Sequence, residues 1–74
     1  MSTIDVDARG LMCPLPVIRL AQAARSAATG DEYVLVATDP AARFDVPAWA
    51  RMRGHAVVAI DDAGGELVIT VRIG

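Results

Sequence analysis

One cysteine, Cys13, stands after a glycine and before two prolines in the run RGLMCPLPVIRL, residues 9–20. A thiol acts as a nucleophile only as its thiolate, so its surroundings decide whether it has any chemistry. A residue that precedes proline is pushed out of the helical region into extended dihedrals, the backbone of a helix N-cap. Cys13 is therefore expected to cap a helix. Pro14 and Pro16 would be its first and third residues, where a missing amide hydrogen costs no helical bond. The amides of Leu15 and Val17 then remain for an anion at the positive end of the helix dipole.

Magnitudes say what that placement is worth. A free cysteine has a pKa near ~8.5, which leaves about a tenth as thiolate near neutral pH. Dipole stabilisation of ~0.3–2 kcal/mol, at ~1.4 kcal/mol per pKa unit, lowers it by up to ~1.5 units. Arg9 and Arg19 add to this, Asp7 opposes it, and the thiolate is expected to be the major species or close to it. A lone buried cysteine is ordinarily a small apolar packing residue. Here Gly10 turns the chain after a strand, and the carboxyl end of a strand is where α/β folds place functional groups.

The rest of the chain limits the chemistry. With no second cysteine, an internal disulfide cycle is excluded. One cysteine and one histidine supply too few ligands for a metal site, and no cofactor is called for. His55 opens a strand-like run and reads as a surface or cap residue rather than as the base of a hydrolase. A carrier role remains: attack on a donor sulfur, storage as a persulfide, and release to an acceptor thiol.

The elements that must position Cys13 are legible from periodicity. TIDVDA, residues 3–8, alternates apolar and polar as a half-buried strand does. From Pro14 to about Ala28, Val17, Leu20, Ala21, Ala24, Ala27 and Ala28 recur at helical spacing, with Leu15, Arg19, Gln22 and Ser26 opposite. Gly30 is expected to cap that helix. YVLVAT, residues 33–38, is a near-continuous apolar run that suits a central strand, parallel to the first. Asp39 and Pro40 suit an N-cap and first helical residue, whereas Pro47 breaks a helix interior. A short turn near residues 40–44 is therefore expected, then a helix capped by Asp45 and ending before Gly54. HAVVAID and ELVITVRI, flanking DAGG, read as a hairpin with a glycine loop of about four residues, placing Gly64 and Gly65 in its turn. The order β-α-β-α-β-β predicts an α/β (α+β) two-layer sandwich, a four-stranded mixed sheet with two helices on one face. It forms one domain over residues 1–74.

Composition excludes several classes. The chain has 74 residues and is 54% hydrophobic, enough for one core and too rich for disorder. Seven arginines, no lysine and nine acids leave a net charge of -2, which gives no general attraction to nucleic acid. The first residues carry no leader-like pattern, and no apolar run approaches the ~20 residues of a membrane span. A cytoplasmic monomer with no membrane partner is expected. Trp49 and Met52, three apart, read as packing residues, and Arg51 and Arg53 as a solvated face.

DARGLMCPLPVIRL resembles the signature of the TusA/SirA-like sulfur-carrier family, a helix-capping C-P-x-P after a Gly-Leu turn. The likeness continues through TGDEYVLVATDPAARFDVPAWARMRGH, with its Asp-Pro, Asp-x-Pro and Gly-His, and so spans nearly the whole chain. The resemblance implies the same β-α-β-α-β-β sandwich. It implies that Cys13 accepts sulfane sulfur as a persulfide from a cysteine desulfurase or rhodanese-like donor and passes it to an acceptor protein, with Pro14 and Pro16 shaping the helix end. Such a protein is a sulfurtransferase component rather than a stand-alone enzyme. Members serve tRNA thiouridine synthesis, molybdenum cofactor maturation or sulfur oxidation. Leu15 departs from the glutamate that tRNA-thiolation members carry at x, and Arg19, Gln22 and Arg25 replace a lysine-bearing stretch. Leu15 is expected to point outward beside the thiol. The competing class is a non-catalytic regulatory or protein-interaction module in which the thiol is incidental.

Overall fold

The computed structural model describes residues 1–74. Strand β1 (Thr3–Ala8) leads through a turn to helix α1 (Leu15–Ala23) and a short 3₁₀ turn (Ala24–Ser26). Strand β2 (Glu32–Ala37), helix α2 (Ala42–Arg53) and strands β3 (Ala56–Ala63) and β4 (Glu66–Arg72) complete the chain. The sheet order is β1-β2-β4-β3. β1 pairs parallel with β2, Val6 opposite Leu35, and β4 pairs antiparallel with both β2 and β3. The expected order and mixed sheet are therefore present, and β2 has a neighbour on each side.

Alternation along the strands sends Val6 and Ala8, Tyr33, Leu35 and Ala37, and Leu67, Ile69 and Val71 into one core. Leu20 of α1 and Ala42, Val46 and Ala50 of α2 close over it. Both helices thus cover one face of the sheet. Val34, Val36, Val68 and Thr70, on the other face, are only half-buried. Ala42, Val46 and Ala50 recur every fourth residue, and their small side chains let α2 lie close on the strands. No helix is long and apolar enough to cross a membrane.

Four local expectations are corrected. Helix α1 ends at Ala23 rather than near Ala28, because the chain tightens to 3₁₀ and then extends at Ala27 (φ -71°, ψ 147°). Gly30 therefore does not cap it; it turns the chain into β2, where Asp31 accepts the amides of Ser2 and Ala28 at 2.9 and 3.0 Å. Helix α2 runs unbroken through Pro47, with Ala41 rather than Asp45 in the cap position. The expected 40–44 turn survives as its first turn, where Arg43 and Phe44 donate to the carbonyls of Pro40 and Ala41 at 3.2 and 3.0 Å. An interior proline costs about 3 kcal/mol, and burial of Val46 at 0% exposure, with Ala42 and Ala50 beside it, offsets a cost of that order. The hairpin turn is Gly64–Gly65 alone, both at positive φ (62° and 88°), not a four-residue loop. Two left-handed residues match the twist of the paired strands, so the ladder extends through Asp62 and Ala63. The end of α2 falls where expected: Gly54 is left-handed at φ 75°, and His55 donates to the Ala50 carbonyl at 2.8 Å.

Candidate functional site

Cys13 lies beyond the carboxyl end of β1, half-buried against the core, where the turn from the strand enters α1. Two bonds shape that turn. Gly10, at φ 78°, donates its amide to Thr38 Oγ1 at 2.9 Å, and Leu11 donates to the Ala8 carbonyl at 3.3 Å. A side chain at Gly10 would meet no neighbour, so the backbone conformation alone favours glycine there. The Cys13 amide then donates to Asp39 Oδ2 at 2.9 Å, while Asp39 Oδ1 accepts the Ala41 amide at 3.0 Å. One carboxylate therefore ties the cysteine turn to the start of α2.

The cap differs from the expected one. Pro14 takes the N-cap position, after a cis Cys13–Pro14 bond, so Leu15 is the first helical residue and Pro16 the second. The Leu15 amide is not free: it donates to the Met12 carbonyl at 2.9 Å. Val17 makes no backbone hydrogen bond through its amide. Pro16 is buried, Leu15 is 48% exposed as expected, and Val17 packs on the core.

The electrostatics are reversed. Arg9 pairs with Asp7 at 3.0 Å and reaches Glu66 at 3.9 Å; Arg19 donates to the Asp7 carbonyl at 3.0 Å. Both arginines are thus tied around Asp7, whose carboxyl the Arg9 hydrogen bond lowers to about 2. The charged groups that act on the thiol are the carboxylates of Asp45 and Asp39, both from the α2 end of the site. Burial first, then the Asp45 and Asp39 carboxylates, push the Cys13 thiol up from an ordinary 9.0 to about 11. Cys13 is accordingly a protonated thiol at neutral pH, not the expected thiolate. The correction has a plain cause: Cys13 lies one residue ahead of the cap, and its amide is held by Asp39 ahead of α2.

Sequence reasoning missed both carboxylates. The only local signal is in Asp39-Pro40 and Asp45-x-Pro47, a pattern that equally suits helix caps. It missed the apolar setting as well. Met12 is 74% exposed and Ile18 44%, like Leu15, so the chain on either side of Cys13 presents apolar side chains to solvent. Met52, expected to pack, is exposed, whereas Trp49 packs on the core and meets His55 at a tilt of 51° with ring centroids 5.2 Å apart. His55 Nδ1 accepts the Gly74 amide at 3.1 Å and lies away from the cysteine's bonded partners. A separate hollow of about 510 Å³ between the helices is bounded by Ile18, Gln22, Arg25, Trp49, Arg53 and His55.

What this arrangement can do is hold one thiol, with carboxylates for its proton and an open apolar approach for a partner. Comparison with known proteins agrees with the motif. Residues 4–73 match the model of the family described as Sulfurtransferase TusA. The chain is 36% identical over 67 residues to a Sulfur carrier protein TusA of Pseudomonas putida, covering 90% of this chain and 84% of that one. It is 37% identical over 68 residues to the protein of the same name in Pseudomonas syringae pv. syringae, covering 92% and 81%. The crystal structure of a SirA-like protein from Desulfitobacterium hafniense superposes with a TM-score of 0.80 at 28% identity, covering 100% of this chain and 99% of that one.

Proposed function

This chain belongs to the TusA family, and on that premise we propose that residues 1–74 act as one sulfur-carrier domain that holds sulfane sulfur as a persulfide on Cys13. The observation that carries this reading is the placing of the only cysteine. It is held by its amide on Asp39 at 2.9 Å and flanked by exposed Met12 and Leu15, so its sulfur is fixed yet approachable. A cysteine desulfurase or rhodanese-like protein supplies the sulfur, and an acceptor protein takes it. Pro14, Pro16 and Val17 shape the helix end behind the thiol, while Gly10, with Arg9 and Arg19 bound to Asp7, holds the turn in front of it. The work is done in the cytoplasm, by a transfer component that turns over only with its partners.

A persulfide is more acidic than the thiol it replaces, because the added sulfur spreads the negative charge. Loading therefore favours an anion where the unloaded site favours S–H. Incubation with a cysteine desulfurase and cysteine, followed by mass spectrometry of the intact chain, tests the proposal. A gain of one sulfur mass that Cys13→Ser abolishes supports it; no gain from a donor that charges another carrier rejects it. The raised thiol pKa favours one second reading, a binding module in which Met12, Leu15 and Ile18 dock a partner and the thiol is inert. Cellular function retained in full by Cys13→Ser would favour that module.

A further inference from the structure

Four of the seven arginines are engaged: Arg9, Arg43 and Arg72 in ion pairs, and Arg19 on the Asp7 carbonyl. Arg25, Arg51 and Arg53 are left without a side-chain partner. Two of these three, Arg25 of the 3₁₀ turn and Arg53 at the end of α2, line the hollow of about 510 Å³ between the helices. No acidic residue lines it, so it holds two positive charges and no negative one. The amides of Ala24 and Gly54 already donate to last-turn carbonyls of α1 and α2, and neither guanidinium is spent on a helix end. The other polar groups of the hollow are mostly donors as well. His55 Nδ1 accepts the Gly74 amide at 3.1 Å, so the proton of the neutral ring sits on Nε2. The Trp49 indole can only donate, and the Gln22 amide alone adds an acceptor. Ile18, Ala21, Ala24 and the ring of Trp49 supply an apolar wall.

We propose that this hollow binds a small phosphate monoester carrying a flat ring, with the phosphate on Arg25 and Arg53 and the ring along the apolar wall at Trp49. The site stands apart from the sulfur chemistry, since neither Cys13 nor the Asp39 that holds its amide lines it. Its volume of about 510 Å³ falls within the roughly 300–1,000 Å³ of small-molecule sites. The charges fix the sign of the ligand, and the donors fix its group. Each guanidinium presents a rigid fork of N–H donors that suits an oxyanion bidentately. A carboxylate has one charge and two oxygens to share between two forks. A phosphate monoester has three terminal oxygens and close to two negative charges at neutral pH, which matches the pair. Inorganic phosphate would leave the apolar wall wet, and a ring without the phosphate would leave both arginines unpaired. The monoester with a ring satisfies both halves of the hollow.

Trp49 is the only tryptophan of the chain, so its indole N–H gives a single resonance that reports on the hollow. Titration of the full chain with adenosine monophosphate, followed by nitrogen-proton correlation spectra, should move that signal saturably. Adenosine, inorganic phosphate and benzoate, each lacking one part of the ligand, should bind at least about tenfold more weakly. Arg25→Gln and Arg53→Gln should each weaken adenosine monophosphate by about tenfold or more, the worth of a hydrogen bond to a charged group. Arg51→Gln removes an equally free arginine that does not line the hollow, and should leave the affinity within about twofold. All three arginines are exposed and unpaired, so the variants keep the fold and the rest of the spectrum. No saturable shift of the Trp49 signal up to about 10 mM adenosine monophosphate overturns the inference. So does equal weakening by Arg51→Gln, which would mean general attraction to charge, or binding of benzoate as tight as that of the monoester. Each of these results leaves the carrier reading standing.

Discussion

The reactivity of Cys13 against pH is the sharpest consequence of the site. With the thiol at about 11 instead of 9.0, the shift is about two units, so the thiolate fraction at neutral pH falls about a hundredfold. The perturbation is pH itself, stepped from 7 to 12. The assay is the rate of iodoacetamide alkylation, read by intact mass and compared with the same chain unfolded in urea. The folded chain should react about a hundredfold more slowly at pH 7 and climb tenfold per pH unit well past the point where the unfolded chain levels off. A linked stability effect has a fixed sign. The folded state keeps the proton more tightly, so its contribution is complete below about 9 and is lost as pH rises from 9 toward 11. The thermal midpoint should fall across that window in wild type and less in Cys13→Ser. Equal alkylation of folded and unfolded chain at pH 7, or faster alkylation of the folded one, would refute the placing of the carboxylates on the thiol.

Three further outcomes follow from the fold. Leu35→Ala empties a fully buried site at the centre of the sheet and should cost about 2–5 kcal/mol, a large part of what a chain of this size has, read by urea denaturation. Gly64→Ala meets no neighbouring atom, so its cost of roughly 1–2 kcal/mol comes from the φ of 62° alone; Gly64→Asn, which suits that turn, should cost less in the same assay. Asp7, Asp31 and Asp39 all sit below their ordinary 3.8. Their contribution is present above about 4 and is lost as pH falls below it, toward 2 for Asp7, so the thermal midpoint should drop over that range, and less so in Asp7→Asn.

How much of this was legible in the sequence depends on the range of the interaction. Alternation in TIDVDA and ELVITVRI set the buried faces of β1 and β4, and the end of α2 at Gly54 is local backbone chemistry. Pro47 misled because a proline's penalty is local, whereas the burial of Ala42, Val46 and Ala50 that keeps α2 whole comes from strands far away in the chain. The thiol misled for the same reason. The helix dipole and nearby Arg9 and Arg19 are readable within twenty residues, but Asp39 lies 26 residues from Cys13 and meets it only once β2 pairs with β1. The position of Cys13 was readable; the sign of its electrostatics required the fold.

The central claim, that Cys13 carries sulfur, is tested most directly by the mass of the intact chain after incubation with a persulfide-forming cysteine desulfurase and cysteine. One added sulfur, removed by a thiol reductant and missing from Cys13→Ser, is the predicted result. An unchanged mass, from a donor that charges another carrier in the same experiment, would contradict it.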